Sequence, residues 1–357
     1  MVLYDSTLAM RFTDYGIRIP VLDSRADDIV SHLSSLPSLA GVQWLARGVP
    51  RTIGKKDVAR VHEAGFVDRL FDRGTGLEAE LHSAYELIGP DGLPNRYEPA
   101  AAVRPLADLL DTILAQVSGT YEATRIALER GFCFFLGGGM HHARRDGGSG
   151  FCLLNDSMIS IARLRAEGRI RTAWIIDVDA HKGDGTAEIA LSDPDTLSLS
   201  IHMAAGWPLD SESLEAAWRQ GRGPDRAPLA RCDVEIGIDR GDEDRYVDEL
   251  AAGLLELQLL SDAKKPDLAI VVDGADPYEH DGLLSSSDLS LTLSQCLARD
   301  SLIRDFLVER GIPSAWLLAG GYGDRAWEPP AAFLAEALTA SADGSGALRA
   351  KVGEGRV

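Results

Sequence analysis

Short uninterrupted apolar runs alternate along this chain with stretches of helical periodicity. The runs are FCFFLGG (132–138), TAWIIDVD (172–179), TLSLSIH (196–202), VEIGI (234–238), DLAIVVDG (267–274) and SAWLLAGG (314–321). Helical patterns lie between them, over about 155–167, 184–192, 243–261 and 289–310. Strands that are apolar on both faces must be covered on both faces, so the alternation predicts an α/β domain with a parallel sheet flanked by helices. The first 120 or so residues read as mostly helical and loop-rich. Segment 220–232 reads as a loop, and the Gly- and Ser-rich stretch from about Ser341 as a flexible end. No linker interrupts the body, which predicts one domain over 1–340 and a tail over 341–357.

In open parallel sheets ligands bind at the carboxyl ends of the strands. Five of the apolar runs end in polar chemistry there. GGGMHH follows the first, Asp177 to Asp184 the second and His202 the third. Asp273 and Asp276 follow the fifth, and GGYG (320–323) the last.

Asp179 and His181 are two residues apart, so on extended backbone they point the same way, and Asp177 shares that parity. Asp276, from a neighbouring strand end, is a candidate third ligand. Two carboxylates and one imidazole leave an open position for water, the mark of a catalytic zinc site; iron, manganese and cobalt also suit oxygen-rich ligation. The plain alternative, acids that cap helices or face solvent, suits Asp184 at a helix start but not three such groups in five residues. In GGGMHH the glycines free His141 and His142 from strand alternation. A base is needed near an activated water, and each imidazole needs a carboxylate to fix its tautomer, for which Asp177 and Asp184 are candidates. In AGGYG (319–323) flanking glycines let Tyr322 turn inward and donate to a developing oxyanion, although Gly-Gly-Tyr also suits a plain turn.

The 357 residues are 45% hydrophobic and 25% charged, an ordinary soluble composition. No apolar stretch approaches the roughly 20 residues of a membrane helix, and the start lacks a basic region followed by an apolar core. A cytoplasmic protein with no membrane partner is expected. Four cysteines without a CxxC pair argue against disulfides and a thiolate zinc site. A net charge of −19 argues against nucleic-acid binding; it favours cationic substrates or serves only solubility.

The motifs GGGMHHARRDGGSGFCLLND, DVDAHKGDGT, LSIH, GADPYEHDGLLS and LAGGYG, spanning about 95–340, resemble the histone deacetylase family, which includes bacterial deacetylases and acetylpolyamine amidohydrolases. The resemblance implies a bacterial zinc-dependent amidohydrolase with an arginase-like fold, an open central parallel sheet of eight strands with helices on both faces. It implies one zinc, with iron(II) or cobalt(II) as alternatives, held by Asp179, His181 and Asp276. It makes His142, paired with Asp184, the general base and acid, and His141, paired with Asp177, an electrostatic partner. Tyr322 would polarise the scissile carbonyl and the Gly150 carbonyl would accept the substrate amide. Phe151 and Trp207 would wall a narrow channel. Glu98, in Tyr97-Glu98-Pro99, matches a rim loop whose acid binds substrate backbone. A structural potassium or sodium ion is implied near Asp177, Asp179, His181, Ser200 and Ile201.

Two departures stand out. Lys182 replaces the second histidine of the usual His-His-Gly-Asp, placing a cation where it can alter a pKa or contact substrate, and Gly323 replaces a larger residue after the tyrosine. A binuclear manganese ureohydrolase shares the fold, but its metal run has an aspartate one residue earlier than Asp184. A non-catalytic acyl-amine binder would have lost a ligand or the tyrosine. Polyamine-specific relatives carry an acid at the position of Leu283, so an acylated lysine is favoured over an acetylpolyamine; Glu98 or Glu86 could supply the acid from another loop. Whether the chain forms a homo-oligomer is left open.

Overall fold

The computed structural model describes residues 1–209 and 229–342. Eight strands form one sheet: β1 (Val2–Tyr4), β2 (Leu45–Arg47), β3 (Phe132–Phe135), β4 (Ala173–Asp177), β5 (Thr196–Met203), β6 (Val234–Ile238), β7 (Leu268–Asp273) and β8 (Ser314–Leu318). Their order is β2-β1-β3-β8-β7-β4-β5-β6, and every pairing is parallel. This is the expected α/β deacetylase-like sheet.

Ten helices surround it among the described residues: α1 (Arg25–Ser35), α2 (Lys55–Val58), α3 (Ala64–Phe71), α4 (Thr75–Ala84), α5 (Leu109–Arg130), α6 (Asp156–Ala166), α7 (Asp184–Ala190), α8 (Tyr246–Leu260), α9 (Leu293–Glu309) and α10 (Glu328–Ala342). Alternation along the strands divides the core in two. Cys133, Phe135, Ile175, Ile270 and Leu317 face one apolar cluster, built with α3 to α6. Phe134, Trp174, Ile176, Val271 and Trp316 face the other, built with α1 and α8 to α10. β4, β7 and β8 are buried along their whole length, which is why they read as continuous apolar runs.

All six predicted runs contain a strand, and each predicted helical stretch contains a helix. Helix α9 starts where Thr292 and Gln295 form a reciprocal cap. The N-terminal region, read as helical and loop-rich, also supplies β1 and β2. At three residues each they are too short to show a period, yet β1 sits inside the sheet between β2 and β3. Of the segment read as a loop, 229–232 carries no helix or strand; 220–228 and the tail from 343 lie outside the described residues. No helix among the described residues is long and apolar enough to cross a membrane.

Candidate active site

The chemistry gathers at the carboxyl ends of β3, β4, β7 and β8. Asp177 ends β4, in register with Ser200 of β5 and Val272 of β7. From there residues 178–183 turn toward α7, and Asp179 and His181 meet Asp276 from the turn after β7. His181 Nδ1 lies 3.0 Å from Asp276 Oδ2 and 3.3 Å from Asp179 Oδ1. All three residues are buried, and their ligand atoms lie within 4.8 Å of one another. Backbone amides aim the carboxylates: Ala180 N–H donates to Asp276 Oδ1 at 3.0 Å and Gly320 N–H to Asp179 Oδ2 at 3.1 Å. Glycine is required beside them. A Cβ at Gly274 would stand 2.7 Å from Asp179 Oδ2, and one at Gly320 would collide with the same oxygen.

Burial and the charge of Asp179 push the Asp276 carboxyl up to about 6. Burial opposes ionisation of Asp179 too, but His141 and His181 outweigh it and hold the group far below the usual range. Two desolvated carboxylates this close call for a cation between them, and one imidazole with two carboxylate oxygens is the donor set of an open catalytic site. The residues fit one divalent ion.

The turn after β3 carries the histidines. Gly138 and Gly139 both have φ of +79°, and a Cβ on Gly138 would stand 2.5 Å from Thr120 Oγ1. Asp156 of α6 fixes this turn by accepting from Gly139 N–H at 2.9 Å and Met140 N–H at 2.7 Å; Gln116 of α5 accepts from Gly138 N–H at 2.9 Å. The histidines that follow are oriented as expected. His141 Nδ1–H donates to Asp177 Oδ2 at 2.7 Å, and His142 Nδ1–H to Asp184 Oδ1 at 2.8 Å. Both Nδ1 atoms are thereby occupied, and in each ring Nε2 remains for chemistry. His141 Nε2 lies 3.7 Å from Asp179 Oδ1.

The two imidazoles are electrostatically unlike. Burial works against charge on His141, but Asp177, Asp179 and Asp276 together prevail and raise its pKa to about 9. Burial and the neighbouring His141 lower His142 to about 4, against the pull of Asp184. Asp184 stays ionised: burial would raise it, but His142 and Arg144 bring it to about 2. Asp184 begins α7, yet its side chain serves His142 and Arg144 rather than the helix end.

Tyr322 faces the same chamber, which His141, His142, Gly150, Phe151, Asp179 and His181 also line. Burial pushes its phenol well above the usual value, so the hydroxyl keeps its proton. The Phe151 ring lies 6.4 Å from Tyr322 at 69°, and Trp207 packs 4.5 Å from His142. A Cβ on Gly150, φ +54°, would collide with Trp207. Gly150 accepts from Cys152 Sγ at 3.4 Å.

Other expected residues are placed differently. Leu283 is half-buried on the loop after Asp276 and does not line the chamber; Ser285, two residues on, places its hydroxyl 3.3 Å from His181 Nε2. Glu98 is not at the chamber either: its carboxylate is exposed and pairs with Arg18 at 2.6 Å. Glu86 pairs with Arg96, whose guanidinium lies 5.2 Å over the Phe151 ring. Lys182 is buried and turns away from the chamber toward β6, where Nζ meets Glu235 at 2.7 Å. His202 lies inside β5 with Nδ1 bonded to Met203 O, and Asp273 pairs with Arg299 of α9 at 2.7 Å.

The sequence reading missed Arg144, Asp156, Gln116 and Arg25. Arg25, on α1, is buried and donates to the carbonyls of Leu318, Ala319, Gly320 and Gly321 at 2.7–3.1 Å, holding the strand end that carries Tyr322. Asp156 and Arg144 lie within a quoted motif; nothing local marks Gln116 or Arg25.

The family model for the histone deacetylase domain matches residues 20–338. An uncharacterised protein of Picosynechococcus sp. is 32% identical over 60% of this chain and 64% of its own length. Histone deacetylase 2 of Arabidopsis thaliana is 31% identical over 58% of this chain and 48% of its own length. Acetylpolyamine amidohydrolase 1 of Pseudomonas aeruginosa is 26% identical over 84% and 86%. The chain thus spans less than two thirds of the first two relatives. With the domain match running over most of its length, on the sheet and site just described, the chain belongs to the histone deacetylase family.

Proposed function

We propose that this protein is a zinc-dependent amidohydrolase that removes an acetyl-like acyl group from a primary amine, with an acylated lysine as substrate. The observation that carries this reading is the convergence of two His–Asp pairs and Tyr322 on one three-residue metal donor set. Asp179, His181 and Asp276 would hold the ion, with iron(II) or cobalt(II) as substitutes for zinc. When bound it supplies Lewis acidity, which polarises the acyl carbonyl and acidifies water.

The other steps belong to the chain. His142, neutral near pH 7, takes a proton at Nε2 from the attacking water and passes it to the leaving amine. Asp184, held by Arg144, orients the ring and stabilises its charged form. His141, kept protonated beside Asp177, places fixed positive charge next to the developing oxyanion. Tyr322 donates its hydroxyl proton in a hydrogen bond to that oxygen. The Gly150 carbonyl accepts the substrate amide N–H, and Phe151 and Trp207 flank a thin aliphatic stem. A structural potassium or sodium ion would sit behind the site near Asp177, Asp179, His181, Ser200 and Ile201.

The acyl-lysine preference rests on the three positions at which an acid for a polyamine was expected. Leu283 is apolar, and Glu86 and Glu98 are each already paired with an arginine. The net charge of −19 and the match to an acetylpolyamine amidohydrolase favour the second reading, an acetylpolyamine substrate. Zinc-loaded protein should be assayed on acetyl-lysine peptides and acetylated polyamines at matched concentrations. No turnover of either class would overturn the enzymatic reading, and higher efficiency on acetylpolyamines would replace the first substrate by the second.

A further inference from the structure

Tyr322 stands between Gly321, φ +139°, and Gly323, φ +86°. Neither neighbour restrains it through its own backbone preference, so the phenol must be placed by contacts from elsewhere. On the upstream side these come from Arg25. On the other side they come from residues 281–282. Tyr322 N–H donates to Asp281 Oδ2 at 2.7 Å, and Gly282 N–H donates to Tyr322 O at 2.9 Å. Both backbone groups of the tyrosine are therefore tied to two adjacent residues.

The second oxygen of Asp281 does different work. Oδ1 accepts from Leu283 N–H at 2.8 Å and from Ser286 Oγ at 3.0 Å, which folds the loop back on itself. That fold carries Ser285, whose hydroxyl lies 3.3 Å from Nε2 of the metal-ligand candidate His181. One carboxylate thus bridges the tyrosine and the loop that touches the metal centre. It accepts from three N–H or O–H groups and has no arginine or lysine partner among the ion pairs of the described residues. A cation could neutralise it, but would not fix two chain segments at once; three directed hydrogen bonds do.

We propose that Asp281 is a positioning residue for hydrolysis, fixing the Tyr322 phenol relative to the metal donor set through its two carboxylate oxygens. The proposal rests on the reading in which Tyr322 donates to the acyl carbonyl. Asp281 touches neither substrate nor metal and acts through Tyr322. Displacing a donor by about 1 Å costs up to about a hundredfold in rate. Asparagine at this position is nearly isosteric but offers an N–H₂ where one acceptor is needed, so one of the two segments must move.

The test is a double-mutant cycle on zinc-loaded, full-length protein with an acetyl-lysine peptide and an acetylpolyamine as probes. Asp281→Asn is measured alone and in the Tyr322→Phe background, with zinc affinity from chelator competition. The expected result is a fall in kcat of about ten- to a hundredfold, with KM and zinc affinity within about twofold of wild type, and an effect below about twofold once the Tyr322 hydroxyl is gone. Asp281→Glu keeps the charge but moves the oxygens by one methylene and should show the same non-additive loss. It serves as the test if the asparagine variant does not fold. Equal losses in both backgrounds, or an unchanged kcat, would overturn the role of Asp281 while leaving the enzyme reading intact. A wild type that hydrolyses neither probe would overturn the enzyme reading, and this role with it.

Discussion

His142 and Arg144 share one carboxylate: Asp184 Oδ1 accepts from the imidazole at 2.8 Å while Oδ2 pairs with the guanidinium. His142 and Arg144 together keep Asp184 ionised, and the ionised carboxylate fixes the tautomer that leaves His142 Nε2 available. His142→Ala should lower kcat by roughly a hundredfold or more while zinc content and the circular dichroism spectrum stay as in wild type. Arg144→Ala should give a smaller loss of the same kind. Near-wild-type rates in the alanine variant at 142 would move the base elsewhere.

Tyr322→Phe removes one hydrogen-bond donor and nothing else. A loss of roughly a hundred- to a thousandfold in kcat is expected, seen equally in kcat/KM, because the bond strengthens only as charge develops on the carbonyl oxygen. A rise in KM with kcat unchanged would instead make the phenol a ground-state binding group.

Metal analysis separates mononuclear from binuclear chemistry. One zinc per chain is expected, with turnover lost to a chelator and restored by zinc. Asp276→Asn should bind zinc far more weakly. Gly320→Ala should weaken binding as well, although every ligand is intact, because its Cβ would meet Asp179 and Asp276. His141, His142 and Asp179 also lie within 4.8 Å of one another, so two metals per chain would point to a binuclear site.

His62 makes stability depend on pH away from the catalytic groups. Nδ1–H donates to Arg144 O at 2.7 Å, and Nε2 accepts from Asn155 N–H at 3.1 Å, so the buried ring is held neutral; burial lowers its pKa to about 4. Between about 4 and 6.5 the unfolded chain takes up a proton that the folded chain refuses. The stability due to this group is therefore complete above about 6.5 and lost as pH falls toward 4, on the order of 3 kcal/mol in all. Melting temperatures of wild type should fall over that interval more steeply than those of His62→Gln. Parallel profiles would show that the ring titrates normally.

Leu283→Glu should shift the ratio of kcat/KM toward acetylated polyamines, since it adds an acid not already paired with an arginine. An unchanged ratio would show that position 283 does not meet the distal end of the substrate.

The strand-end motifs were legible because burying several carboxylates and imidazoles after apolar runs is too costly to occur without a task. His141, His142, Asp177, Asp179, His181, Asp184 and Asp276 stand together at the strand ends, and spacing alone groups only Asp177, Asp179 and His181. The supporting residues were not legible. Arg25 acts 295 positions away from Gly320, and Asp281 acts 41 away from Tyr322, so no local period marks either. Glu98 and Lys182 were judged by position alone; the structure assigns them to Arg18 and Glu235. β1 and β2 escaped notice because three residues carry no alternation.

Arg25 also sets a limit on modularity. The motifs that resemble the family lie after about residue 95, but the wall bearing Tyr322 is anchored by a side chain from α1, and β1 is an interior strand of the sheet. A fragment starting near residue 95 would carry every candidate catalytic residue in its sequence and still lack the clamp that gives the tyrosine its address. Recombining such a fragment with separately produced residues 1–94 should be the only way to recover its turnover.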